Sequence, residues 1–242
     1  FILIAKDAIG HRQLRELSTI AWKNSYVDRK MERVPLLKSE LKEIVSKNKG
    51  HLIATTACIG GELGTEILKA EEAEAVKDQD TAYQHLQKIY DLITFCIDLF
   101  GDDFYIECAP STKDDQIRVN KRSKRIAEAF NLKMVVGTDS HYLTKAERQV
   151  HKAYLNSKEG EREVDDFYEF SRLMDSDEIF ELLGLAFDKD YIEHILNNTI
   201  DLQNKITFYS LERKQMIPKV EVTNYPVSNA RWRFSNHSLL NK

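Results

Sequence analysis

The sequence predicts an α/β fold with a largely parallel sheet or barrel, and three observations carry that expectation. Short apolar runs rich in β-branched and aromatic residues recur at 1–5 (FILIA), 51–56 (HLIATT), 104–108 (FYIEC) and 133–136 (KMVV). Longer segments between them repeat their apolar residues at helical spacing. Glycine, aspartate and proline punctuate the junctions, where the backbone must turn. An open doubly wound sheet shares this signature, so pattern alone leaves closure of the sheet open.

Taken in order, FILIAK is the first strand, Asp7 and Gly10 mark a turn, and Leu14, Leu17, Ser18 and Ala21 define a helix to about Lys23. A short charged helix begins near Ser39, buries Leu41, Ile44 and Val45, and ends at Gly50. The second strand, His51 to Thr56, runs into Ala57 and Cys58, which places Cys58 at its carboxyl end. One helix is expected from about Glu71 to Phe100, with Leu86, Ile89, Tyr90, Ile93, Ile97 and Phe100 as its apolar stripe. Asp102 and Asp103 turn the chain into the third strand, with Glu107 near its end and Pro110 beyond. A helix from about Lys113 to Phe130 leads to the fourth strand, Lys133 to Val136, which stops at Gly137. Thr144 and Glu147 form a capping box for a helix expected to turn Val150, Ala153 and Tyr154 inward. After a charged loop at Glu159 to Glu163, helices follow at Ser176 to Leu183 and from Asp188 to about Ile206. The tail from about residue 221, clearest from Tyr225 to Lys242, lacks periodicity and is expected to be poorly ordered.

Composition excludes several classes. The 242 residues suffice for one sizeable core, and 35 basic against 39 acidic residues give a net charge of −4. No global field therefore draws the chain onto nucleic acid or an anionic membrane, and any DNA contact would be local. Cys58, Cys96 and Cys108 are odd in number and lack framework spacing, which predicts free thiols and a cytoplasmic location. No run approaches the ~20 apolar residues of a membrane span, so no membrane partner is expected. The chain opens in mid-strand with neither methionine nor turn, which predicts a truncated domain lacking its first strands.

Asp139 and His141 follow the fourth strand at a spacing of two, so on an extended chain their side chains project to one side. A carboxylate and an imidazole suit zinc or manganese, and ligands gather at strand carboxyl ends in α/β folds. An isolated Asp-x-His is otherwise ordinary surface. Glu107 is a candidate to orient a ligand, and His151 a candidate to reach the loop from the next helix, although a strand-end Glu is commonly solvated and a helix His commonly packs. Arg118, Lys121, Arg122 and Arg125 form a basic stripe that would suit a phosphate backbone, against the plainer reading of a solvated helix face. Gly60 and Gly61 read as a turn.

With Cys58, Glu107, Asp139 and His141 at strand ends, the chain resembles the polymerase and histidinol phosphatase (PHP) domain of the bacterial DNA polymerase III alpha subunit. The motifs are FILIAKDAIGHRQLRELS, HLIATTACIGGEL, FYIE, VVGTDSHYL with KAERQVHKAYLNSK, and MIPKV, so the likeness covers about residues 1–220. It implies a distorted β/α barrel with a metal cluster at the strand carboxyl ends, here incomplete at its beginning. The late metal ligands of such a domain fall on Cys58, Asp139 and His141, whose contacting atoms are then expected within about 5 Å of one another. The early histidines of the family, including its His-x-His pair, are absent. The resemblance thus implies zinc or manganese in the intact domain, at most weak binding here, and a poor catalyst. It also implies a parent that copies DNA from deoxynucleoside triphosphates, with the rest of the polymerase chain and a proofreading exonuclease subunit as partners. Two other readings remain: a stand-alone metal phosphatase of the histidinol phosphatase kind, and a metal-free interaction module.

Overall fold

The computed structural model describes residues 1–29, 31–157, 168–212, 214, 215 and 217. Contacts divide the chain into one unit at Phe1–Tyr209 and another at Ser210–Lys242. In the second, the described residues form no regular element, and the Glu212 N–H donates to Ser210 Oγ at 3.1 Å. The loop at Glu159 to Glu163, the MIPKV residues other than Ile217 and the tail from residue 221 lie outside the described residues.

The first unit is built on strands β1 (Ile2–Ala5), β4 (Leu52–Thr55), β5 (Phe104–Cys108) and β6 (Lys133–Val136), in the order β1-β4-β5-β6. β4, β5 and β6 are parallel, whereas β1 runs antiparallel to β4. These are the four strands expected, and the described residues leave the sheet open rather than closed into a barrel. Alternation splits the strands cleanly. Leu52, Ala54, Phe104, Ile106 and Met134 join the main core with the helices, while Ile53, Tyr105 and Val135 pack on the opposite face with Ile4 and Leu202. Each fully buried Leu, Ile, Val, Phe or Met side chain among these contributes about 1.5–3 kcal/mol relative to exposure.

Helix α1 (Ala8–Lys23) is capped by Asp7, whose carboxylate accepts from the N–H groups of Ile9 and Gly10 at 2.9 Å. Gly10 lies inside this helix rather than in the turn before it, and it is a close-approach glycine, since a Cβ there would collide with the His51 carbonyl oxygen. Between α1 and α2 (Lys38–Lys47) stands a hairpin the sequence did not suggest, β2 (Tyr26–Asp28) with β3 (Met31–Arg33). Its charged, three-residue strands fall below the length at which alternation is readable.

The single helix expected from Glu71 to Phe100 is instead two, α3 (Glu62–Ala75) and α4 (Gln79–Phe100). Lys77 turns left-handed at φ 60° and Asp78 caps α4 by accepting from the Thr81 N–H, so the break lets two amphipathic helices fold against each other. Helix α5 (Asp114–Phe130) connects β5 to β6. Helix α6 (Arg148–Asn156) buries nothing: Val150, Ala153 and Tyr154 are exposed, and the half-buried side is His151 with Leu155. The capping box at Thr144 is present, with Glu147 accepting the Thr144 N–H at 2.8 Å. Helices α7 (Ser176–Leu183) and α8 (Lys189–Asn204) match the expected spans. Helix α8 covers the outer edge of β6, where Asn198 Nδ2 donates to the Met134 carbonyl at 2.9 Å and the Val136 N–H donates to Thr199 Oγ1 at 3.4 Å.

Candidate functional site

The carboxyl ends of β4, β5 and β6 lie side by side because the three strands are parallel and in register, Thr55 opposite Tyr105 and Glu107 opposite Val135. The loops after β4 and β6 turn through left-handed residues, Ala57 at φ 62° and Asp139 at φ 45°. Such a conformation costs a non-glycine residue about 1–2 kcal/mol, which packing around the loops must offset. The turn after β4 closes with the Gly61 N–H on the Cys58 carbonyl at 2.8 Å, and Gly61 is required because a Cβ would press on the Thr56 carbonyl.

Cys58 is half-buried, with its thiol near enough to the Asp139 carboxylate to feel its charge. Burial pushes the thiol above its ordinary pKa, and the Asp139 and Glu107 carboxylates raise it further, so the group is held as a thiol at neutral pH. Asp139 in turn sits 3.5 Å from His141 Nε2. Its left-handed backbone, not strand alternation, brings these two side chains together, since β6 has already ended at Val136.

Glu107 lies between the loops. Thr55 Oγ1 donates to its Oε2 at 2.7 Å, and its own N–H donates to Thr56 Oγ1 at 2.9 Å. Burial raises the Glu107 pKa and Asp139 adds to the effect, against the opposing Thr55 hydrogen bond. A Cβ on Gly137 would overlap the Glu107 carboxyl group, so this glycine makes the space that Glu107 fills. Thr55 and Gly137 were missed from sequence; the Thr-Thr pair ending β4 and the glycine ending β6 were the available signals.

His151 does reach the loop. Its ring lies 5.5 Å from that of His141, 5.6 Å from Tyr142 and 5.1 Å from Tyr168, forming an aromatic cluster rather than a ligand position. Burial and the neighbouring His141 hold its pKa below the usual imidazole value. Tyr142 anchors the cluster by donating to the carbonyls of Tyr168 and Glu169 at 2.9 and 2.7 Å, while the His141 N–H donates to the Ser171 carbonyl at 2.8 Å.

The basic stripe divides. Arg118 pairs with Glu71 at 3.0 Å and with Asp114 and Asp115, and Arg122 pairs with Glu74 at 3.3 Å, so both hold α5 against α3. Lys121 and Arg125 are exposed.

The donors Cys58, Asp139 and His141 have the right chemistry for zinc or manganese. They form two adjacent pairs about Asp139, and among the described residues no three His, Cys, Asp or Glu side chains gather closely enough to hold an ion. Among the described residues the three thus stand as two pairs rather than as one cluster.

Fold and cluster define the class: an α/β domain whose parallel strands bring a thiol, two carboxylates and an imidazole to one end. No protein-family model matches the chain. It is 43% identical over 226 residues to the probable DNA polymerase YorL of Bacillus subtilis, covering 93% of this chain and 17% of that protein. The DNA-directed DNA polymerase of Bacillus phage SPbeta gives the same figures, 43% over 226 residues, 93% and 17%. The DNA polymerase III subunit alpha of Aquifex aeolicus is 29% identical over 154 residues, covering 64% of this chain and 11% of that one. The chain thus spans 17% of the length of the first two curated relatives. No described helix is long and apolar enough to cross a membrane.

Proposed function

We propose that this chain is the PHP-type domain of a replicative DNA polymerase, serving a parent that extends DNA from deoxynucleoside triphosphates. The observation that carries the proposal is the 43% identity to two DNA polymerases across 93% of the chain. The strand-end residues support it: Cys58 follows β4 and Asp139 and His141 follow β6, and these are the three onto which the resemblance carries the late ligands of a PHP-type domain. Within the polymerase the domain acts as a scaffold for the catalytic portion, in the cytoplasm, and offers a surface to a proofreading exonuclease. Zinc or manganese would need these three residues and donors beyond them; when bound, such an ion would lower the pKa of a water.

The experiment is a phosphoester assay. An aryl phosphate and a single-stranded oligonucleotide are offered to the chain with added zinc or manganese, beside Asp139→Ala and an N-terminally extended chain. The expected result is hydrolysis at background for the 242-residue chain. Robust turnover abolished by Asp139→Ala would reveal a complete phosphoesterase site and favour the stand-alone phosphatase reading.

A further inference from the structure

We propose that the β2–β3 hairpin, with Trp22 beside it, is the surface by which this domain docks on the catalytic portion of a DNA polymerase, at the rim of the strand-end cluster. The inference rests on the polymerase reading above. All six strand residues of the hairpin are exposed, and Trp22, Tyr26, Val27 and Leu37 are each more than half exposed, at 56%, 57%, 73% and 60%. Four large apolar side chains within sixteen positions, on and around an otherwise charged two-stranded sheet, are an interface composition: aromatic anchors within a polar rim. A lone two-stranded sheet is also marginal in water, so its folded form gains most from a surface laid against it.

Topology says where that surface lies. Helix α1 starts beside His51 at the foot of β4, as the tight approach of Gly10 to the His51 carbonyl records, and runs back toward the strand carboxyl ends. The hairpin follows at that end. Two contacts hold the segments on either side of it at that end: Asn24 Nδ2, before the hairpin, donates to Glu40 at 2.8 Å, and Lys38 Nζ, after it, meets Glu62 at 2.6 Å. Glu62 opens α3 immediately after the Cys58–Gly61 turn, so the segment that follows the hairpin is joined to the end of the loop that carries Cys58. The occupant is argued from length. The two polymerase relatives share 226 residues with this chain, and these make up only 17% of each, so the body that such a domain serves is several times its size.

The test measures association of the 242-residue chain with a probe, the part of the Bacillus subtilis relative outside its matched residues, used once it melts cooperatively. Trp22→Ala and Tyr26→Thr are compared with the unaltered chain and with Tyr83→Asp, an exposed aromatic on α4 rather than on the hairpin. Thermal unfolding of each variant reports whether the domain itself is intact. The expected result is binding that weakens by about tenfold or more in both hairpin variants and is unchanged in Tyr83→Asp. Equal affinity for all four chains would overturn the hairpin assignment and leave the polymerase reading standing. Failure of the unaltered chain to bind the probe would overturn the polymerase reading and the docking surface together.

Discussion

Glu107 and Gly137 illustrate how one residue depends on another across two strands. The Glu107 carboxyl group fills the space that a side chain at 137 would need, so Gly137→Ala should destabilise the domain by about 1–3 kcal/mol through overpacking. Glu107→Ala empties that space, so the double variant should lose less than the sum of the singles. A denaturation cycle giving a coupling energy of about 1 kcal/mol or more is expected, and additivity would show that the two do not meet. Thr55 belongs to the same arrangement, since its hydroxyl satisfies one oxygen of a carboxyl group that burial would otherwise penalise.

At the scale of elements, the segment carrying Ser171 and Arg172 is tied to α7 by a two-pronged pair, Arg172 to Glu178 at 2.7 and 3.0 Å. The Arg172 hydrogen bonds, joined by Lys145, hold the Glu178 pKa down at about 2. A depressed carboxylate contributes stability above its unfolded value of about 4.3, and that contribution is lost as pH falls toward the folded value. Stability should therefore decline between about pH 4.3 and 2, and Glu178→Gln should flatten that decline in urea titrations taken at successive pH values. Helix α8 has a separate task. Asn198 is buried and serves the Met134 carbonyl on the edge of β6, so Asn198→Ala should cost about 1–3 kcal/mol by leaving that acceptor unpaired.

For the whole molecule, the two edges of the sheet are treated differently. The β6 edge is covered by α8, while β1 lies at the other edge among the described strands, with Phe1 and Ile2 each 42% exposed. An apolar strand at a sheet edge templates association with other chains. Ile2→Lys should lower concentration-dependent light scattering without lowering the melting temperature, because this side chain leaves the core unchanged. Scattering equal to that of the unaltered chain would place self-association elsewhere.

The sequence by itself determined the four sheet strands, most helix spans and the placing of Cys58 after β4 and of Asp139 and His141 after β6. Period and composition are local quantities, and a buried strand or an amphipathic helix carries enough of them to be read. What only the tertiary structure decided was set by neighbours distant in the chain. Lys77 breaks one helical stripe into two because α3 and α4 fold on each other. Val150 and Tyr154 stay outside because the half-buried side of α6 is the one bearing His151 and Leu155. Arg118 and Arg122 are turned to Glu71 and Glu74 rather than left to a phosphate backbone. The roles of Thr55 and Gly137 follow from Glu107, more than 25 residues away from either, and no local pattern encodes a contact of that range.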